Sequence, residues 1–259
     1  MKTLARKMGF FSMFVRMTLL EAWRGQLFKL ASAICLLVFL SSYFLGALAL
    51  VEASETRVTF SAFLVRLGLT FALISFVIFG LAREFSDRQI QFALASPISR
   101  TGWLIGRYMG LLVLCLMLAI SATLVLWPYV LQPVGLIWWG LSFFVELALL
   151  AAFSIFVGLA FTQSILGLSV ALAFYVLARS FESFLLMVKG PYGAPGSTME
   201  WIFDTLVMLF PRLYDLSSTG WLVGAPIEPI AVLGLLAETG VYIALIILAA
   251  CADLQRKVF

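Results

Sequence analysis

Two glutamates stand deep inside apolar stretches of this sequence, where a carboxylate is a candidate for chemistry within a membrane. Glu146 lies about ten residues into the apolar run 136–160, and Glu238 about nine residues into the run 229–250. In helices, both positions are roughly 14 Å from the start of the run. A carboxylate at that depth is costly, which makes it a candidate for lining or gating a substrate pathway. The alternative is a protonated carboxyl group that hydrogen-bonds to a neighbouring helix and stabilises packing.

Arg179 and Glu182 form a second candidate site. They are three residues apart near the outer end of the apolar run 165–187, so in a helix their side chains are close enough to pair. Such a pair either gates the outer mouth of a pathway or neutralises charge locally. Arg66, in the run 61–82, is expected to extend its guanidinium group to the lipid headgroups.

The residue type that most often serves as a metal ligand and as a general base is missing from this sequence. It contains no histidine, and its three cysteines, Cys35, Cys115 and Cys251, lie singly inside apolar runs. We expect these cysteines to be small core residues, and we expect no metal site, catalytic residue or cofactor in the chain. The sequence also has no phosphate-loop motif, Gly-x-x-x-x-Gly-Lys-Ser/Thr, so any ATP must be bound by another chain.

The elements that must position these residues are membrane-spanning helices. Apolar residues make up 63% of the 259 residues, well above the roughly one half that is typical of soluble proteins. Six apolar runs are long enough to cross the roughly 30 Å hydrocarbon core as helices. The predicted fold is therefore all-α, a single polytopic membrane domain over residues 1–259. The runs are 30–51, 61–82, 103–127, 136–160, 165–187 and 229–250.

The distribution of positive charge predicts that both termini face the cytosol. With this orientation, twelve of the 17 Lys and Arg residues lie on the cytosolic side, as the positive-inside rule requires. The net charge of +4 then reflects topology and gives no reason to expect a nucleic-acid partner. Tryptophans near the ends of the runs or in the last loop are expected to form aromatic belts at the membrane interfaces. They are Trp103, Trp127, Trp138, Trp139, Trp201 and Trp221.

Residues 1–29 are predicted to form an interfacial helix that lies along the inner leaflet. This segment mixes basic residues with Phe10, Phe11 and Phe14, a combination typical of helices that lie in the headgroup region. The alternative is a simple basic tail that only sets the topology.

The longest loop, residues 188–228, is predicted to carry an extracytoplasmic helix. Ser197 and Glu200 match a capping box, which marks the beginning of a helix. We expect this helix to cover residues 198–210, to lie on the outer leaflet, and to end at Pro211.

The most charged segment between two apolar runs, residues 83–100, is predicted to dock on a soluble partner in the cytosol. Phe85, Gln89 and Phe92 share one face of a predicted helix, and Pro97 ends that helix. Such an aromatic face can insert into a groove on a partner protein. The alternative is an ordinary positive-inside loop. The residues expected to contact the partner are Glu84, Phe85, Asp87, Arg88, Gln89, Phe92, Pro97, Ser99 and Arg100.

The order of motifs in this segment resembles a known family. Glu84 follows the second run, residues 96–100 read Ser-Pro-Ile-Ser-Arg, and residues 106–110 read Gly-Arg-Tyr-Met-Gly at the entry to the third run. This order resembles the type 2 ABC exporter permease family. The short segment ending at Pro211 and the basic residues near the end of the chain are similar to the family as well.

The resemblance implies a six-span, single-domain permease subunit of an exporter in a bacterial inner membrane. Two such subunits, identical or related, would pair around a central pathway for an amphipathic or envelope-bound substrate. Each would rest a cytosolic coupling helix on a nucleotide-binding subunit, which would bind ATP and Mg²⁺. The rigid-body motion implied by this family favours a packing role for Glu146 and Glu238.

Two other classes of protein are alternatives. A non-transporting membrane subunit that anchors a soluble or respiratory partner would also need a cytosolic docking helix. An intramembrane enzyme would need paired catalytic groups, and without histidine these are Glu146 with Glu238, or a Ser–Lys pair. Lys189 is the only lysine between Lys29 and Lys257, which argues against a Ser–Lys pair.

Overall fold

The structure, a computed structural model, describes residues 2–48, 53–86, 100–130, 132–161, 163–189, 211–216 and 218–256. Side chains are described within residues 13–44, 54–85, 100–130, 132–161, 163–181, 211–216 and 218–256. All regular elements over these residues are helical. In chain order they are α1 (Lys2–Arg24), α2 (Leu27–Leu48), α3 (Ala53–Ser86), α4 (Arg100–Leu126), a 3₁₀ turn (Trp127–Tyr129), α5 (Pro133–Ala160), α6 (Ser164–Lys189), α7 (Leu213–Leu216), α8 (Gly220–Val223) and α9 (Pro229–Arg256).

Six of the described helices are long and apolar enough to cross a membrane: α2, α3, α4, α5, α6 and α9. The predictions of an all-α fold and of six spans are therefore confirmed, and the chain is a multi-pass membrane protein. Two spans begin at a proline, Pro133 in α5 and Pro229 in α9. Proline suits the first turn of a helix because its φ is already helical and its missing N–H would have no partner there.

Helices α5 and α3 form the centre of the bundle. Within their spans, 67% and 61% of the residues are buried, compared with 11% in the span of α9 and 22% in that of α2. The largest fully buried side chains include Trp139 and Phe143 of α5 and Leu69 of α3. Because so little of α2 and α9 is covered by the rest of the chain, these helices present most of their surface to lipid or to another protein.

Helix α1 packs against α4 through two glycines. A Cβ atom on Gly106 would come within 2.8 Å of the Phe14 ring, and a Cβ atom on Gly110 would clash with Thr18. Glycines four residues apart on one helix face allow a second helix to approach closely. Met13 on α1 is 53% exposed, so part of the apolar surface of α1 is available to contact the lipids of one leaflet. The interfacial position of α1 stays a prediction.

The loop before α9 folds back into the bundle through α7 and α8, two short helices that were not predicted. Helix α8 packs so closely on α5 that Gly135 has no room for a Cβ atom beside the carbonyl of Trp221. The predicted extracytoplasmic helix at residues 198–210 lies outside the described residues. The buried side chains of this returning loop, residues 211–228, include Leu213, Leu216, Trp221 and Leu222.

The helix of the second span extends into the predicted docking segment. Helix α3 is continuous from Ala53 to Ser86, so the first residues of that segment, 83–86, belong to the transmembrane helix. Residues 87–99 lie outside the described residues, and the docking role predicted for them is untested.

Candidate functional site

Arg66 lies inside the bundle, with 1% of its surface exposed. Its Nη2 donates to the Ser142 hydroxyl at 3.1 Å and to the Trp139 carbonyl at 3.5 Å, while Nη1 donates to the Leu216 carbonyl at 3.1 Å. The guanidinium group stacks 4.8 Å from the ring centre of Trp139 and 5.3 Å from that of Phe143. The expectation that Arg66 reaches the headgroups is wrong, because α5 and the returning loop supply partners for its donors inside the bundle.

Glu146 is fully buried between two arginines. Its Oε2 lies 3.4 Å from Arg66 Nε, and its Oε1 lies 3.7 Å from Arg179 Nη1. Neither oxygen accepts a hydrogen bond of good geometry from the described residues, so the attraction is mainly Coulombic, and it gains strength from the low dielectric of the interior. Arg179 also donates to the Tyr175 hydroxyl at 3.4 Å and lies 5.7 Å from the ring centre of Phe63.

Arg66, Glu146 and Arg179 form one network, which we call the outer network after the predicted orientation. It joins the three helices α3, α5 and α6, with a carbonyl group from α7 in the returning loop. Any displacement of one helix relative to the others separates at least one charged pair. The predicted partner of Arg179 was Glu182, whose side chain lies outside the described residues; the described partner is Glu146. Glu146 therefore has ionic partners on two neighbouring helices, and its role in a substrate pathway stays a prediction.

Glu238 occupies a different environment. Its Oε1 lies 3.8 Å from Nε of Arg212 in the returning loop, and the two side chains are 38% and 50% exposed. The position is roughly 14 Å along α9, where the lipid tails would be. A half-exposed ion pair at that depth needs water or another protein beside it, since hydrocarbon does not solvate charge.

A second network lies where α1, α3 and α4 meet, at the opposite end of the bundle from the returning loop. Arg107 is 8% exposed, and its guanidinium lies 2.6 Å from Glu21 Oε2 and 2.8 Å from Glu84 Oε1. Its Nη1 also donates to the Thr18 hydroxyl at 3.4 Å. Gly80 makes room for this network, since a Cβ atom there would lie 2.9 Å from the Glu21 carboxylate.

Both ends of the predicted docking segment, residues 83–100, are therefore attached to the bundle. Near its beginning, Glu84 pairs with Arg107 and the half-buried Phe85 packs against the core. At its end, Arg100 donates to the Leu254 carbonyl of α9 at 3.2 Å. The Glu84 carboxylate is thus engaged inside the bundle, and its predicted contact with a partner is untested. The remaining predicted contact residues lie outside the described part of the chain: Asp87, Arg88, Gln89, Phe92, Pro97 and Ser99.

Sequence reasoning missed several members of these networks. Trp139 was expected in an aromatic belt, but it is fully buried and stacks on Arg66; Ser142 and Glu21 were not considered. One signal was present: Trp139, Ser142 and Glu146 follow one another at spacings of three and four residues, which places them on one helix face. That spacing indicates a stripe on one face of α5 whose groups can bind a buried cation.

No family model matches this chain, and no curated protein matches it. The fold and the two networks define an all-α, multi-pass membrane protein with charged groups held inside the bundle. The resemblance to type 2 exporter permeases therefore rests on sequence motifs alone, chiefly those in residues 83–110, and family membership is a proposal.

Proposed function

We propose that this chain is the transmembrane permease subunit of an ATP-driven exporter of the ABC type 2 class. The observation that carries the proposal is the order of motifs from Glu84 through residues 96–100 to residues 106–110. The chain would lie in a bacterial inner membrane and move an amphipathic or envelope-bound substrate. ATP and Mg²⁺ would be bound by a separate nucleotide-binding subunit.

The attachment of both ends of segment 83–100 to the bundle supports this proposal. Glu84 and Arg107 form an ion pair between α3 and α4, and Arg100 bonds to α9. Arg107 belongs to the motif at residues 106–110, so that motif has a physical role in this chain. A displacement of Glu84 or Arg100 would reach α1, α3, α4 and α9 through these bonds.

The outer network supplies a second element that such motion would act on. Arg66, Glu146 and Arg179 lie on three different spans, so a rotation of one span would separate at least one of the two charged pairs. Ionisable residues inside a membrane are candidates for functional sites. We propose that this network holds the extracytoplasmic side of the bundle in one state until the cytosolic ends are displaced.

The exposed pair Arg212–Glu238 favours a second permease subunit or an aqueous pathway beside α9. Both side chains are more than a third exposed, and only 11% of the α9 span is buried. A second copy of the chain, or a related chain, would shield the pair from lipid.

Affinity purification of the full chain in mild detergent from its native membrane tests the proposal. We expect a stoichiometric soluble subunit that carries a phosphate-loop motif and hydrolyses ATP. Recovery of a redox or envelope enzyme without an ATPase would overturn the exporter proposal. It would favour the anchoring alternative, with residues 83–100 as the docking site.

A single substitution in the docking segment sharpens this test. Phe92→Ala removes the aromatic side chain proposed to insert into the ATPase subunit, and we expect its recovery with the chain to fall about tenfold, as for the loss of one interface anchor. Phe60→Ala is the matched control, because Phe60 is 40% exposed on α3 far from the segment. Equal recovery with both variants would exclude Phe92 from the interface.

A further inference from the structure

A groove lies between α2 and α3, beside the corner where α1 turns into α2. Its volume is about 800 Å³, and its lining includes Gln26 at the corner and Ser164 at the beginning of α6. Gln26 adopts a positive φ of 67°, a conformation that turns the chain sharply between the two helices. The groove is separate from both ion networks, and it opens to the outside of the bundle.

Two basic side chains line the groove. They are Lys29 near the beginning of α2 and Arg83 near the end of α3, and both are exposed. Arg83 Nε donates to the Phe79 carbonyl at 3.3 Å. Neither residue forms a salt bridge with a described carboxylate. The first turn of α6, at Ser164, adds the partial positive charge of a helix N-terminus.

The groove also has an apolar wall. Leu30, Phe76 and Phe79 line it, and Leu30 and Phe79 are 44% and 41% exposed. Ser75 lines the groove as well, and its hydroxyl oxygen is buried with no hydrogen-bond partner among the described residues. The distance from Arg83 to Ser75 along α3 is roughly 12 Å, so the groove is long enough for a headgroup and the first part of an acyl chain.

We propose that this groove binds one anionic phospholipid of the inner leaflet. In the N-inside orientation, Lys29 and Arg83 lie toward the cytosolic ends of α2 and α3, on the side where anionic lipids attract basic side chains. The phosphate group lies between these two cations, a headgroup or ester oxygen accepts from Ser75, and the acyl chains leave along Phe76 and Phe79. A free phosphate would leave the apolar wall uncovered, and a zwitterionic lipid would match the two basic side chains less well.

Lipid titration followed by native mass spectrometry of the purified full chain tests this site. The probes are dioleoyl phosphatidylglycerol and dioleoyl phosphatidylcholine, which share their acyl chains and differ in net charge. We expect one phosphatidylglycerol to bind more tightly than any phosphatidylcholine. In Lys29→Ala/Arg83→Ala its affinity should fall on the order of tenfold. Arg24→Ala is the matched control, because Arg24 is exposed in the last turn of α1 and does not line the groove.

A steric variant tests the apolar half of the site independently. Ser75→Phe places a ring in the groove without changing charge, and we expect it to displace the bound phosphatidylglycerol while the chain stays folded. Three results would each overturn the site. The first is equal affinity for the two lipids, and the second is an equal effect of the double variant and of Arg24→Ala. The third is unchanged phosphatidylglycerol binding in Ser75→Phe. The site depends on the orientation of the chain and not on the exporter proposal, so the absence of an ATPase partner would leave this test unaffected.

Discussion

At the scale of single residues, the carboxylate of Glu146 is the charge that balances the buried arginines. Arg66 is 1% exposed and Glu146 is fully buried, so neither charge is solvated by water. Arginine stays protonated in proteins, and removing its counter-ion leaves a positive charge uncompensated in the interior. The stability of the bundle therefore depends on the charge of Glu146 as well as on its volume.

Glu146→Gln should lower the free energy of unfolding by about 3–5 kcal/mol, the usual effect of breaking a buried ion pair. The side chain keeps its size, so the loss reports the missing charge beside Arg66 and Arg179. The measurement is SDS-induced unfolding in mixed micelles. Glu55→Gln is the control: Glu55 lies exposed in the first turn of α3, and its substitution should change the free energy by less than about 1 kcal/mol. Equal effects of both substitutions would mean that the outer network adds little to stability.

The sequence identified Glu146 and Arg179 as charged groups inside the membrane, but it did not identify which charges meet. Pairing across helices depends on the rotation of each helix about its axis, and apolar periodicity defines that rotation poorly when a helix is apolar on every side. Helix α5 is of this kind, with buried residues around much of its circumference. The local pair Arg179–Glu182 was predicted because spacing along one helix is all that the sequence shows directly.

At the scale of elements, the structure assigns α1 a specific contact with the third span. Gly106 and Gly110 were first considered as part of a motif, yet their physical role is to admit Phe14 and Thr18. The Glu21–Arg107 ion pair lies on the same contact. Helix α1 is thus held by close packing and by charge, so it should move together with α4 when the cytosolic ends are displaced.

A disulfide cross-link tests the contact between α1 and α4. In a background with Cys35, Cys115 and Cys251 replaced by alanine, we expect Phe14→Cys and Gly106→Cys to form a disulfide on mild oxidation, because the Phe14 ring packs directly over Gly106. The pair Met13→Cys and Gly106→Cys should not form one, since Met13 is 53% exposed. For the measurement, the chain is cleaved between the two cysteine positions. A disulfide keeps the two fragments together, which shows as a shift in electrophoretic mobility. Cross-linking of the Met13 pair alone would mean that α1 is rotated about its axis.

Long helices were predicted well because six runs of apolar residues have one stable conformation in a membrane, in which every backbone group bonds within its own helix. The short helices α7 and α8 were not predicted, since four residues have no periodicity of their own. Their conformation depends on tertiary contacts such as that between Leu216 and Arg66. The polar and glycine-rich loop in which they lie gave no sign that it would fold back into the bundle.

At the scale of the whole molecule, the orientation of the chain decides which proposals are physically sensible. The two ion networks lie at opposite ends of the bundle, and the groove between α2 and α3 lies at the same end as Arg107. With both termini inside, this end faces the cytosol, where ATPase subunits reside and where the inner leaflet attracts basic residues. With the opposite orientation, both residues 87–99 and the groove would face away from ATP and from the inner leaflet.

Labelling of single cysteines by a membrane-impermeant maleimide in intact cells tests this orientation. In the cysteine-free background, we expect Ser54→Cys at the beginning of α3 and Gly224→Cys after α8 to be labelled from outside. Lys2→Cys and Arg256→Cys should be labelled only after the membrane is permeabilised, because the twelve basic residues assigned to that side retain it in the cytosol. Labelling of Lys2→Cys in intact cells would reverse the topology. It would then place residues 87–99 outside the cell and exclude their contact with a cytosolic ATPase, and it would move the lipid groove to the other leaflet.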